Sequence, residues 1–573
     1  MIRFLAALIV NTLRVLLLPL LALRRSRAAP KGGWVWLKVD GPVVELGRKR
    51  RRFQPGTAPL SLYALRRALS LAMADKRVAG LLVTIDSMEA GTATAESLRE
   101  ALQAFKTSGK PLCVYLPRGG SAKTFYVASV GDRLFLGTEA IAEPSGYAAT
   151  TPYFAGLLEQ VGIEREVIAR GRFKTMAEPA VRADMSDAQR QQVGAYLDTL
   201  YENLVAALVE GRGLDEDKVR ALIDEALLTA DEARDRGLCD AVLHPDEVAK
   251  ELDPNAPDGA VLTELMPYAA RRRIHFRPFF RKPMLAVLPL QGPIVEKSPS
   301  PLFASADERS FVETCRELWA DDRVRGVVLA VNTGGGGALA SERIRRALTR
   351  LADKKPVVAY LANIAASGGY LAAVAAPTIV ARKTTLTGSI GVIAARLTPG
   401  PLLKRLHVSV EVEKRGARAD MNSGARVLDA GERARFDAYV DASYDAFVGA
   451  VAEGRGMAVE AVHEVAQGRV WSGKDALARG LVDKLGGLQL ALDLLREKIG
   501  GKADQFEPKV IAVGNAGSPL LSLLRGSARA LVGPGLGHAL APDADFLLPA
   551  LSGERAVAAA TWTLSDAHAA IDV

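Results

Sequence analysis

The chain says nearly the same thing twice, and that repetition limits its fold more than any other feature. KGGWVWLKVDGPVVE, RVAGLLVTID, KPLCVYL, DRLFLG and RGLCDAVLH in the first half recur as MLAVLPLQGPIVE, RVRGVVLAVN, KPVVAYL, PTIVAR and RGLVDKLGG in the second. Lys355 stands 245 residues after Lys110, and Gly391 stands 245 after Gly146, so the middle of the two copies aligns without net gaps. A period this long means duplicated domains rather than a solenoid. The length of 573 residues leaves room for them and for smaller appendages.

Within each copy, short β-rich runs alternate with amphipathic stretches. VVLAVN at 327–332 is a continuous apolar strand, SERIRRALTRLADKK from Ser341 has helical periodicity, and VVAYLAN is a strand again. The expected class is α/β, with parallel strands, crossover helices and both sheet faces covered. The boundaries follow from composition: an apolar anchor over 1–27, a first domain over 33–252, a basic linker over 253–283, a second domain over 284–500, and a Gly/Ala/Pro-rich tail over 501–573 with no assigned role.

The anchor reading rests on Phe4 to Leu23, FLAALIVNTLRVLLLPLLAL, whose 20 residues match what a helix needs to cross a bilayer core of roughly 30 Å. Asn11, Thr12 and Arg14 interrupt it, so a tilted or monotopic helix is an alternative. SRAA at 26–29 is the nearest approach to a leader cleavage site, and an uncleaved anchor is the preferred reading. The net charge of +9 is concentrated in clusters at Arg24–Lys31, Arg48–Arg52 and Arg271–Lys282, which beside an apolar segment suits an anionic lipid surface. Nucleic acid is not an expected partner, because the clusters lack aromatic interleaving and any known binding motif. Placed after the anchor, these charges by themselves would hold the domains in the cytoplasm. Three cysteines, Cys113, Cys239 and Cys315, have no paired spacing and read as core, with neither a metal site nor a cofactor implied.

The chemistry is best read by comparing the copies. TTLTGSIGVI in the second copy puts Ser389 behind Gly388 at the end of a β-prone run, and its partner position in the first copy is Pro144. Conversely, Lys174 of ARGRFKTMAEP is in register with Ala419. One half carries a serine and the other a lysine, as expected if a single site is built from both. The six histidines lie away from any serine or acid constellation, which disfavours a Ser-His-Asp arrangement. A lysine base must first lose its proton, against a reference pKa of about 10.4. Arg170, Arg172, Phe173 and Met176 are the neighbours expected to depress it, by charge and by desolvation. VNTGGGG at 331–337 follows a strand and precedes a helix, so its amides, with that of Ile390, could receive an oxyanion; it lacks the Gly-Lys-Ser/Thr of a phosphate loop. Taken singly, a Gly-Ser turn, a loop lysine and a glycine-rich turn are ordinary structural features.

Together, VNTGGG, AASGGYLAA at 365–373, TTLTGSIGVI, RGRFKTMAEP and GRVWSGKDALARGLVDKLGG resemble the signal peptide peptidase A (protease IV) family in its long tandem-domain form, over nearly all of residues 33–497. The resemblance implies two domains of the crotonase and Clp-protease type behind an N-terminal anchor helix, and a serine protease with a Ser-Lys dyad. Carried over by position, it implies Ser389 as nucleophile and Lys174 as base, Gly335 and Ile390 as oxyanion donors, and Gly334, Gly336, Gly368 and Gly369 as residues lining the substrate. It also implies signal peptides and other extended or unfolded polypeptides as substrates, a homotetramer, and a bacterial inner membrane with the catalytic domains on the periplasmic side. One departure is visible: the family usually has Asn-Ser-Pro-Gly-Gly where this chain has Asn332-Thr333-Gly334-Gly335-Gly336. A catalytically impaired peptide-binding scaffold and a crotonase-like acyl-CoA enzyme are the alternatives.

Overall fold

The structure is a computed structural model that describes residues 2–20, 31–47, 59–272, 279, 283–298, 305–424, 426–500 and 505–513. Two α/β domains follow one another. The first is built on parallel strands in the order Ala241–Val242, Arg133–Leu136, Leu112–Leu116, Val78–Glu89, Gly33–Val44 and Leu262–Glu264. The second has the order Val470–Ser472, Leu386–Gly388, Val357–Ala366, Val324–Thr333, Met284–Gln291 and Glu507–Val510, with only the first of these antiparallel to its neighbour. Apolar clusters cover both faces of each sheet, which is why their central strands read as unbroken apolar runs.

The repeat extends to small devices. Lys110 Nζ donates to the carbonyls of Ala72 and Asp75 at the end of one helix, and Lys355 Nζ donates to those of Leu318 and Asp321 at the end of its counterpart. Orphan carbonyls at a helix C-terminus are satisfied by the same aligned lysine in both copies. It also runs past the boundaries expected from composition. Leu262–Glu264, inside the expected linker, is an edge strand beside Gly33–Val44, and the helix Leu265–Arg272 after it buries Leu265, Tyr268 and Ala269. Glu507–Val510, inside the expected tail, takes the same place beside Met284–Gln291, 245 residues later. Both strands are too short and too polar to stand out by periodicity. The rest of the linker's basic-aromatic run and the tail from residue 514 lie outside the described residues.

At the N-terminus a helix covers Ile2–Leu16, and the apolar side chains Leu8, Ile9, Leu13, Val15 and Leu16 are exposed on it. No helix among the described residues is long and apolar enough to cross a membrane. The expected 20-residue span is therefore not found as one helix, and residues 21–30 lie outside the description. All three cysteines are buried and free.

The domains are clamped together along a polar seam. An antiparallel ribbon joins Glu164–Arg170 of the first to Val392–Thr398 of the second. Buried Glu96 accepts from the amides of Lys383 and Thr384, while Arg382 reaches back to Ser97 and Glu100. Asn363 Oδ1 accepts from the Thr94 amide, capping the helix Thr92–Lys106 from the opposite domain. These contacts decide where Lys174, four residues beyond the ribbon, can go.

Candidate active site

Lys174 follows the ribbon and opens a short 3-10 turn at Thr175–Ala177. The Phe173 amide donates to the Gln467 carbonyl of the second domain, and Gln192 holds the segment through the Phe173 carbonyl and the Thr175 hydroxyl. Gly468 sits against Lys174 so closely that a Cβ on it would lie 2.6 Å from Lys174 Cβ, and its φ of +73° also favours glycine. The lysine is consequently delivered, side chain buried, into the second domain.

There Nζ meets three oxygens. Ser389 Oγ lies at 2.9 Å, the Ser389 carbonyl at 3.0 Å and Ser367 Oγ at 3.2 Å. Among the described residues no carboxylate pairs with Lys174, and burial alone lowers its pKa to about 7. The causes expected from sequence are not the ones found. Arg170 is turned onto Asp437 and Asp441, Arg172 lies over the Phe173 ring, and Met176 is 67 % exposed.

Ser367 was not singled out by sequence reasoning. It ends the strand Val357–Ala366 and caps the helix Gly368–Ala373 with φ 53° and ψ −122°, a region that a residue with a Cβ rarely occupies. Its amide donates to the Gly388 carbonyl, which ties the turn to the strand leading to Ser389. A strained strand-to-helix turn that lifts a serine hydroxyl to the head of a helix is the general form of a nucleophile elbow. The signal was present in AASGGY, where small residues flank one serine: a Cβ on Gly368 would meet Ser341 Oγ at 2.2 Å, and one on Gly369 would meet Thr333. The first copy has Ala122 at this position.

The remaining predicted residues separate into two groups. Gly335 abuts the elbow, since a Cβ there would lie 2.7 Å from the Gly368 amide nitrogen, and its φ is +101°. Its own amide donates to Thr333 Oγ1 at 3.1 Å, so the threonine that stands where the family has serine ties down a loop lacking the proline. Gly334 packs loosely near Ile364. Gly336 bridges Ile294, whose amide and carbonyl are bonded to Gly335 and Gly337, so one edge of the glycine segment is already occupied by the chain itself. Gly368 and Gly369 are buried packing positions. The Ile390 side chain is fully buried, and its carbonyl accepts from the Gly468 amide. The Ser389 amide is spent on the Arg469 carbonyl, so the 467–469 segment holds both the lysine and this serine.

The site can therefore perform general-base and nucleophilic chemistry without a histidine. A neutral lysine amine has two N–H groups and one lone pair. One N–H is used by the Ser389 carbonyl, which leaves one donor and one acceptor for two hydroxyls. One serine can be deprotonated and the other can only orient the amine.

Comparison with known proteins gives the same direction. The family described as Peptidase family S49 matches residues 104–257 and 349–501, once in each copy. The chain is 30 % identical over 477 residues to the chloroplastic serine protease SPPA of Arabidopsis thaliana, covering 82 % of this chain and 69 % of that one. It is 26 % identical over 504 residues to Protease 4 of Haemophilus influenzae, covering 84 % and 81 %. A putative protease of Methanocaldococcus jannaschii is 35 % identical over 208 residues, 36 % of this chain and 66 % of its own.

Proposed function

Because the chain belongs to Peptidase family S49, we propose that it is a serine endopeptidase in which Lys174 is the base, Ser367 the nucleophile and Ser389 the residue that orients the lysine. The observation that carries this reading is a buried, uncharged-leaning lysine of one copy bonded to two serine hydroxyls of the other. Ser367 is the better placed of the two for attack. Its hydroxyl stands at the start of a helix, beside the Gly368 amide, which has no carbonyl to bond within its own helix. That amide and the neighbouring Gly335 amide are the donors for the oxyanion, the substrate oxygen replacing Thr333 Oγ1 as the acceptor of the second.

The steps follow from these contacts. Lys174 Nζ takes the Ser367 proton as Oγ attacks the scissile carbonyl, and the ammonium so formed is held by the Ser389 carbonyl and hydroxyl. It then protonates the leaving amine. Water, deprotonated by the same amine, attacks the acyl carbonyl, and the ammonium returns that proton to Ser367 Oγ as the acyl group leaves. The substrates we propose are extended or unfolded polypeptides, including cleaved signal peptides, handled by a homotetramer anchored to the periplasmic side of a bacterial inner membrane. The apolar surface of Ile2–Leu16 supports contact with lipid, whether or not the helix spans it.

A second reading keeps attack on Ser389, the residue expected from sequence, and is favoured by its shorter contact of 2.9 Å with Nζ. Labelling with a fluorophosphonate and mapping the modified peptide decides between them. An adduct on Ser367 that is lost in Ser367→Ala and retained in part in Ser389→Ala supports the proposal. An adduct on Ser389 establishes the second reading, and no adduct with no casein hydrolysis leaves an inactive scaffold.

A further inference from the structure

Arg469 touches both halves of the site and has no part in it so far. Its carbonyl accepts from the Ser389 amide at 2.7 Å. Its guanidinium carbon lies 4.7 Å from the centroid of the Phe173 ring, and Phe173 is the residue before Lys174. The same group lies 4.2 Å from the Trp471 ring, which Arg479 covers in turn at 3.7 Å, while Arg172 lies 5.4 Å from the Phe173 ring. Arg172, Phe173, Arg469, Trp471 and Arg479 thus form one row of alternating cations and rings that crosses from the first domain into the second. Each contact falls within the distance at which a cation is drawn to a π face. The far end of the row is fixed: Trp471 is buried, its Nε1 donates to the Val465 carbonyl, and Arg479 is paired with Asp475.

Ring faces are all that hold the Arg469 guanidinium. The side chain is half-buried, its Nε is buried without an acceptor, and among the described residues it forms no ion pair. Desolvation first, and then the charge of Arg479, make its protonated form less favourable than that of an ordinary arginine. A desolvated, unpaired cation is a costly spacer, and its neighbour supplies the reason for it. A lysine loop anchored here by an ordinary salt bridge would have a carboxylate beside the amine, which would restore the proton of Lys174. An arginine held by rings anchors the loop and brings no anion. The repeat agrees. Aligning RGLCD at 236–240 with RGLVD at 479–483 puts Ala226 and Leu228 in the places of Arg469 and Trp471, and the counterpart of Phe173, 245 residues on, is Arg418. None of the three central members of the row is repeated where the serine and lysine are missing.

We propose that Arg469 is a positioning residue for the base: its side chain grips the Phe173 ring and its backbone holds Ser389, so that Lys174 Nζ is fixed against the serine hydroxyls and kept from water. The 2.9 Å contact between Ser389 Oγ and Nζ spans these two attachments. Gln192 and the Gln467 carbonyl hold the backbone of Phe173, and Arg469 holds its ring. Without that grip the ring parts from the second domain, water reaches the amine, and Lys174 reverts toward an ordinary lysine. The charged groups on the segments packed round the amine are Arg170, Arg172 and Glu178 from its own part of the chain, Asp437 and Asp441 of the helix Ala430–Arg455, and Asp475 and Arg479 beyond Trp471. None of them contributes to its lowered pKa, which comes from burial alone. This assignment rests on Lys174 being the base.

The test uses the full-length protein in detergent. Arg469→Gln should lower kcat for casein at pH 7 roughly 10-fold or more with KM little changed, and should move the midpoint of kcat/KM upward by about one pH unit, so that much of the loss is recovered at pH 9. Phe173→Leu, which stays apolar but has no π face, should do the same, whereas Phe173→Tyr, which keeps the face, should remain within about two-fold of the unmodified protein. Arg469→Gln combined with Phe173→Leu should be no worse than the worse of the two. The titration of Lys174 is then followed without catalysis, in Ser367→Ala, by trace acetylation with acetic anhydride across pH 5 to 11 and peptide mapping. Expected is a midpoint of about 7 that rises when Arg469→Gln is added. A midpoint of about 10.4 before that addition would overturn the reading of Lys174 as the base, and this assignment with it. A midpoint of about 7 that Arg469→Gln leaves in place, or losses in the Arg469 and Phe173 variants that multiply, would overturn the positioning role alone. Where Arg469→Gln does not fold, equal activity and equal pH profiles of Phe173→Leu and Phe173→Tyr overturn it instead.

Discussion

The two copies share a fold and differ in what they place at one point of it. In the second, the strand Val357–Ala366 ends in Ser367, whose hydroxyl reaches Lys174, and the glycine of the facing loop is Gly335. In the first, the aligned residues are Ala122 and Ala90, and Lys123, at the position of Gly368, donates from Nζ to the Ala90 carbonyl. A buried lysine side chain thus ties together the two segments that in the second copy hold Gly368 and Gly335. The first copy keeps the architecture but has an alanine where the second has Ser367. It has kept a different function, because the loop after its ribbon strand supplies Lys174 to the other copy. The two copies thus contribute unequally to one cluster, the first giving Lys174 and the second Ser367 and Ser389, and the clamp between the domains sets the distance between them.

The strongest way to break that comparison is to give the second copy the residues of the first. Ser367→Ala or Lys174→Ala should each lower kcat/KM for casein by on the order of 10³-fold or more, and the double variant should be little worse than either, since groups acting as a unit are not additive. Ser389→Ala should cost less, roughly 10- to 100-fold, because it removes a partner of the amine rather than the attacking atom. Equal loss in Ser389→Ala and Ser367→Ala, with labelling gone from both, would remove the distinction drawn between the two serines.

Much of this was legible in the sequence, and the omissions have physical causes. The duplication, the α/β class and the pairing of Ser389 with Lys174 all rest on contrast between aligned residues, which needs no coordinates, and Ser389 Oγ does lie 2.9 Å from Lys174 Nζ. Ser367 escaped because an unusual φ cannot be read from residue type; AASGGY looks like a helix start wherever small residues pack closely. The edge strands Leu262–Glu264 and Glu507–Val510 escaped because three or four residues carry no usable period. The depressed basicity of Lys174 was anticipated for a partly mistaken reason: the arginines expected to repel it have partners of their own, and only burial remains.

That burial has a sign that can be measured. The base acts when neutral, so kcat/KM should rise with pH through about 7, the midpoint set by Lys174 in the free enzyme. Raising the polarity around it, for example by Phe173→Ser, should move the midpoint upward, toward an ordinary lysine. A profile flat from pH 6 to 9 would mean that Lys174 is not the titrating base.

The same displacement affects stability, with a smaller readout. In the native protein Lys174 loses its proton near pH 7, whereas in the unfolded chain it keeps it to about 10.4. Between these values the unfolded state binds more protons, so this lysine's unfavourable contribution shrinks as pH rises through that window and is largest below pH 7. Lys174→Met fills the same space without a charge to desolvate. It should raise Tm by several degrees at pH 6 and by less at pH 9, while abolishing activity. A variant whose Tm falls equally at both pH values would show that the hydrogen bonds from Nζ to the two serines outweigh desolvation.

The smallest effect tests the clamp itself. Asn363 caps a first-domain helix from the second domain, through bonds of 3.0 Å to the Thr94 amide and 3.2 Å to its hydroxyl. Removing a cap typically costs about 1 kcal/mol, so Asn363→Ala should lower Tm by only a few degrees. Were the domains merely tethered, hydrolysis would be unaffected. Since Lys174 and the serines come from opposite sides of this seam, kcat should instead fall several-fold while KM changes little, because the loosened seam misplaces the base without touching the substrate. Restoring the cap with Asn363→Asp, which also accepts from the Thr94 amide, should recover most of kcat. A loss of stability with unchanged kcat would mean that the ribbon alone fixes the distance between Lys174 and the serines.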